Sequence, residues 1–153
     1  MATNQINLLR IYLKGASLEQ AGLPLAFMDP SQPQLQDHLD MQMTVGGMGS
    51  NVFEVSIRAT LTLKREEATL VVLEAEQGAL VQLVDVAPQD VDTVLNVQVA
   101  SAVYGHLRVN ITDILTRATL PALYLPEVDW EVQLQARLAQ AGGKSILGAA
   151  NDA

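Results

Sequence analysis

The chain has 153 residues, 49% of them apolar and 17% charged, with a net charge of −8. Those figures bound one globular domain with a sizeable core and exclude wholesale disorder. The acidic balance, with no cluster of Lys or Arg, argues against nucleic acid and against anionic membrane surfaces, and the lack of cysteine excludes disulfides and thiolate metal sites.

The N-terminal residues MATNQINLLRIYLKG have no basic region, and Arg10 interrupts their apolar stretch, so they do not read as a signal peptide. No apolar run reaches transmembrane length. The expected location is the cytoplasm. Residues 6–13 read as an apolar strand that breaks at Gly15 and is followed by a small acidic element ending near Glu19. A long loop follows over residues 21–34, punctuated by Pro24, Pro30 and Pro33. It carries Leu23, Leu25, Phe27 and Met28, too many apolar side chains for simple disorder, and loops of this length usually serve a function.

Leu35, Leu39, Met41, Met43 and Val45 alternate with polar residues, with Asp37 the one polar intruder on the apolar face. Successive strand side chains point to opposite faces, so this is a half-buried strand. Gly46-Gly47-Met48-Gly49-Ser50 reads as the reversal after it. Residues 53–63 alternate in the same way, Arg65-Glu66-Glu67 makes a polar break, and residues 68–75 form a further strand. The period then changes. Pro88, Asp90 and Asp92 suit the start of a long helix, whose apolar stripe runs from Val91 to Ala118. Val97 and Val109 lie off that stripe, which gives the helix a second apolar surface suited to another subunit. Residues 121–128 are an extended connector. Asp129 is the N-cap of a short final helix with Trp130, Leu134, Leu138 and Ala141 on one face, stopped by Gly142-Gly143. One domain over residues 1–142 and a flexible tail over 143–153 are expected.

Strands first and helices second predict an α+β fold: a four-stranded antiparallel sheet with a long helix and a short C-terminal helix on one face. The other face, carrying Glu54, Ser56, Arg58, Thr60, Thr62 and Lys64, is wet. If Val71, Leu73 and Ala75 point inward, then Leu70, Val72, Glu74 and Glu76 form an acidic, partly aliphatic outer patch.

Catalytic chemistry is missing. His38 and His106 fall in different elements without a matched ligand pair, so solvated side chains fit better than metal or acid–base roles. The glycine run has no following Lys-Ser/Thr and no helix, so it is a turn and not a phosphate loop. Asn110-Ile111-Thr112 matches a glycosylation acceptor but lies within the expected helix. No nucleophile–base set can be assembled. The expectation is a protein that is not an enzyme and uses no cofactor and no metal.

Several short motifs in order along the chain carry a resemblance. Arg10-Ile11-Tyr12-Leu13-Lys14 followed by Ser17-Leu18-Glu19, then Val52-Phe53-Glu54-Val55, Leu73-Glu74-Ala75-Glu76-Gln77-Gly78-Ala79, Thr116-Arg117-Ala118-Thr119-Leu120-Pro121 and Leu125-Pro126-Glu127-Val128-Asp129-Trp130 resemble the motifs of the SecB protein-export chaperone family. Each motif is weak alone, but their collinearity from Arg10 to about residue 140 is specific. The resemblance implies a homotetramer, a dimer of dimers built through the long helix. It implies a cytoplasmic holdase that keeps secretory precursors unfolded and delivers them to the SecA ATPase. Carried over residue by residue, the SecA-binding positions are Glu19, Val72 and Glu74. The first strand would pair across a dimer interface, covering an edge otherwise prone to aggregation.

The chain departs from the family at three places: a family acidic residue falls on Gly15, a family tryptophan on Ser31, and the helix segment 100–108 lacks both family prolines, which predicts a straighter helix. Client-binding candidates are Leu25, Phe27, Met28, Leu123, Tyr124 and Trp130, with Met41 and Met43 if they stand outside the core. The alternatives are a module of the same kind dedicated to one partner, and a binder of a small apolar molecule.

Overall fold

The structure, a computed structural model, describes residues 4–28, 35–121 and 123–142. The expected tail over 143–153, Pro30, Pro33 and Ser31 lie outside the described residues. Four strands, β1 (Gln5–Gln20), β2 (Gln36–Gly49), β3 (Val52–Arg65) and β4 (Ala68–Val84), form one antiparallel sheet in the order β1-β4-β3-β2. The helices are α1 (Val91–Thr93), α2 (Ala100–Arg117) and α3 (Trp130–Gln140), and 3-10 turns stand at Leu25–Met28 and Pro88–Asp90.

The strands are longer than the alternation predicted. β1 does not break at Gly15. It continues to Gln20 through two register shifts, one between Leu8 and Arg10 and one between Leu13 and Gly15, so Leu9 and Lys14 are the extra residues of β-bulges. The glycine run 46–49 belongs to β2, and the reversal sits at Ser50-Asn51, both with positive φ, the geometry whose twist matches a hairpin. β4 runs on to Val84 through Gly78. A Cβ at Gly78 would lie 2.8 Å from Cε2 of Tyr12, so the glycine is required where the tyrosine ring crosses the strand.

The core lies between one sheet face and α2. Val55, Ile57, Leu61, Leu73, Val81, Leu95, Leu107, Ile111 and Leu115 are fully enclosed, and removing one such leucine side chain costs about 2–5 kcal/mol. Met41 and Met43 are partly buried and pack against this core. The long helix starts at Pro88 as expected but contains a π-helical stretch, Val94–Val99. The cause is Asn96, fully buried, whose Nδ2 donates to the Asp92 carbonyl at 2.8 Å. The side chain takes the i−4 acceptor that an α-helix would give to the backbone N–H. The wider turn spaces Leu95 and Ala100 five apart and keeps both buried, after which Tyr104, Leu107, Ile111 and Leu115 follow α-helical spacing. Ala102, expected on the apolar stripe, is exposed, and Tyr104 takes a core place instead. From Ala100 onward the helix runs without interruption, in keeping with its lack of proline.

Candidate functional site

Two surfaces stand out, one polar and one apolar. The polar one is the sheet face away from α2. The bulge at Lys14 determines which residues of β1 reach it. Before the bulge Tyr12 is opposite Gly78; after it Gly15 is opposite Glu76, Ser17 opposite Glu74 and Glu19 opposite Val72. Without the extra residue, parity would turn Leu18 outward and Glu19 inward. With it, Leu18 packs on the core side and Glu19 shares the outer face with Val72 and Glu74. The structure therefore brings together the three residues Glu19, Val72 and Glu74. Glu19 is exposed, and Val72 and Glu74 are partly so.

Beside them runs a ladder of charges that sequence reasoning did not assemble. Tyr12 donates its hydroxyl proton to Glu54 Oε2. Lys14 Nζ lies 2.9 Å from Glu54 Oε1 and 3.3 Å from Glu76 Oε1. Arg58 contacts Glu76 Oε2 through Nη2 at 2.9 Å and Nε at 3.0 Å, and Glu74 Oε1 through Nε at 3.5 Å. The bond from Tyr12 is the largest influence that holds Glu54 below its usual carboxylate range. Burial, then the bond to Glu54, pushes the Tyr12 phenol up to about 12. The bond to Glu54 raises Lys14. Outward alternation named Arg58, Glu74 and Glu76 separately; only the strand register shows that Arg58 faces Glu76.

The apolar candidates lie on two segments, the 3-10 turn after β1 and the connector before α3. The turn is fixed at its start by Ala21 N–H to Leu70 O, 2.8 Å, and internally by Ala26 N–H to Gly22 O, 2.9 Å. It presents Leu25 (74% exposed), Phe27 (58%) and Met28 (74%) to solvent. The connector is held on α2 by Tyr104, which donates to the Pro126 carbonyl, and by Arg108 Nη1 to Glu127 Oε1 at 2.9 Å. Leu125 is thereby buried, Leu123 packs partly on the core, and Tyr124 stands 76% exposed. Trp130 departs from expectation. It is 9% exposed and meets Tyr104 edge-on, ring centroids 5.5 Å apart at 71°. It is a core side chain because it points inward from the first position of α3, opposite the capping Asp129. Tyr104 itself was missed, although it lies three before Leu107 and four after Ala100 on the buried face.

Among the described residues no group of three or more His, Cys, Asp or Glu could hold a metal ion, and no described helix is long and apolar enough to cross a membrane. His38 is exposed on β2, and His106 Nδ1 lies 3.1 Å from the Ala102 carbonyl on an exposed helix face. Asn110, of the glycosylation-like triplet, is in α2 and donates to Gln77 Oε1 at 2.6 Å.

The family model described as "Preprotein translocase subunit SecB" matches residues 1–141. The protein-export protein SecB of Bordetella petrii is 34% identical over 136 residues, 88% of this chain and 75% of the relative. That of Paraburkholderia xenovorans is 30% identical over 138 residues, 90% of this chain and 87% of the relative. Among solved structures, the Mycobacterium tuberculosis Rv1957 SecB-like chaperone, in complex with a peptide from the HigA1 antitoxin, superposes with a TM-score of 0.64 at 19% identity, over 80% of this chain and 90% of that one, which shows a shared fold. With a sheet, helix pair and motif order of this kind, matched along nearly its whole length, the chain belongs to the SecB family.

Proposed function

We propose that the protein is a holdase chaperone of protein export. The observation that carries the reading is the exposed apolar side chains: Leu25, Phe27, Met28 and Tyr124 stand 58–76% exposed on two short segments. Large apolar side chains held out in solvent side by side, as Leu25, Phe27 and Met28 are on one turn, mark interaction sites. Methionine adapts to varied partners, which suits capture of unrelated unfolded chains. Binding lowers the free concentration of the unfolded chain, so aggregation slows by mass action without an energy source. The face holding Glu19, Val72 and Glu74 then docks a basic surface of SecA, and the working unit is a cytoplasmic homotetramer. Family membership supports each of these assignments.

The test is suppression of aggregation of two unrelated unfolded proteins. The triple variant Phe27→Ser, Met28→Ser, Tyr124→Ser should lose most of it at equimolar ratio, with its melting curve close to wild type because all three side chains are exposed. Equal suppression by the variant would remove these residues from the client site. A second reading, a module for one dedicated partner, is favoured by one observation: Gly15 stands opposite Glu76 where the family resemblance implies an acidic side chain. Suppression for one protein and none for the other would select it.

A further inference from the structure

We propose that Arg58 sets the affinity of the sheet face for a basic partner, by occupying the carboxylates that such a partner needs. The inference rests on the docking role given to this face above. The three carboxylates nearest Val72 are engaged to different degrees. Glu76 is held by Arg58 and by Lys14, at 2.9 and 3.3 Å. Glu74 is held by Arg58 alone, through one longer contact of 3.5 Å. Glu19 makes no ion pair among the described residues. The face is therefore graded, from a carboxylate with two internal cations to one with none.

A partner cation has a place to enter. A recess of about 350 Å³ lies between residues 14–17 of β1 and the side chains of Arg58, Glu74 and Glu76. Gly15 borders it, and a Cβ there would meet no heavy atom within 4 Å. A lysine or arginine from a partner reaching into this recess meets Glu74 with Arg58 already beside it. An incoming cation at Glu74 is repelled by Arg58 as well as attracted by the carboxylate, so it gains less there than at a free carboxylate unless Arg58 turns away. Arg58 is half-exposed on a long side chain, so turning away is feasible. Its positive charge also subtracts from the field that steers a basic partner in.

Removing that charge should therefore tighten binding. Arg58→Gln is expected to bind a lysine octapeptide about two- to fivefold more tightly than wild type in low salt, the range an exposed ion pair allows, and the gain should shrink near 0.5 M salt. SecA, as the protein probe, should show the same direction. The gain should vanish when Glu74→Gln and Glu76→Gln are added together, which identifies these two carboxylates as the freed groups, and Arg58→Lys should stay near wild type. Calorimetry on the full-length wild type and the variants reads this, with Arg58→Ala as a second neutral replacement. A gain with the peptide but no SecA binding by any variant would sink the docking reading and leave the role of Arg58 standing. No gain with the peptide, including no binding at all, or a gain that survives the joint change Glu74→Gln with Glu76→Gln, would overturn the inference.

Discussion

Tyr12 reaches across β4 to Glu54 on β3, and it can do so because Gly78 between them has no side chain. The bond is charge-assisted and half-buried, so Tyr12→Phe should cost about 1 kcal/mol near neutral pH, a fall of roughly 2–4 °C in melting temperature. The pH dependence follows from the directions of the shifts. Glu54 is lowered in the folded state, so its contribution is present above the usual carboxylate range and lost as pH falls through the folded value. Tyr12 is raised to about 12, so its contribution is complete below pH 10 and disappears between 10 and about 12. Melting curves of wild type and Tyr12→Phe should thus converge at pH 12, and a constant gap across that window would contradict the bond. Trp130 offers a second check at this scale, because it is the only tryptophan. Buried against Tyr104, it should emit at short wavelength and resist acrylamide. Client capture at Phe27 and Tyr124 should leave that unchanged; a red shift on adding client would mean that α3 lifts away.

The elements show which features a sequence exposes and which it hides. Asp129 was readable as a cap because its carboxylate and the backbone it serves are three residues apart: Oδ1 accepts from Val132 N–H at 3.1 Å. Asp129→Ala should destabilise by about 1 kcal/mol and raise hydrogen exchange in the first turn of α3; exchange confined elsewhere would refute the cap. Period-2 alternation exposed β3 for the same local reason. The bulges of β1, the extension of β4 and the π-helical stretch were not legible, because each depends on a distant partner. Lys14 bulges to reach Glu54 and Glu76, Gly78 belongs to a strand because Tyr12 covers it, and Asn96 distorts its helix because burial leaves it only a carbonyl to bond. The candidate site divides in the same way. Leu25, Phe27 and Met28 stood out as an apolar loop, whereas Trp130 looked like a contact residue because its neighbours were an exposed-looking connector. The bulge also bears on docking: it aims Glu19 at the face of Val72 and Glu74. Glu19→Lys with Glu74→Lys should abolish SecA binding by calorimetry while aggregation suppression persists, and unaltered SecA affinity would withdraw the assignment.

For the whole molecule, the helix layer covers the sheet unevenly. It lies over β3 and β4, while β1 at the sheet edge keeps Leu8 and Leu13 about half exposed although both project to the helix side, with the bulged Leu9 beside them. Val109 is exposed on the far side of α2. A lone chain would leave these side chains and the unpaired backbone of a 16-residue edge strand in water, a ready template for aggregation. A second copy placed along β1 would remove both costs at once, and a further contact through α2 would then build the proposed dimer of dimers. Light scattering at micromolar concentration should therefore give four times the 16.5 kDa chain mass. Leu8→Lys with Leu13→Lys would put charges into the β1 contact, where burial without a partner costs several kcal/mol, and should lower the mass to that of a dimer or a single chain. Val109→Lys should separate the tetramer into dimers and leave the β1 contact intact. A wild-type mass of one chain would contradict the assembly, and an unaltered tetramer in the Leu8/Leu13 variant would move the interface away from β1.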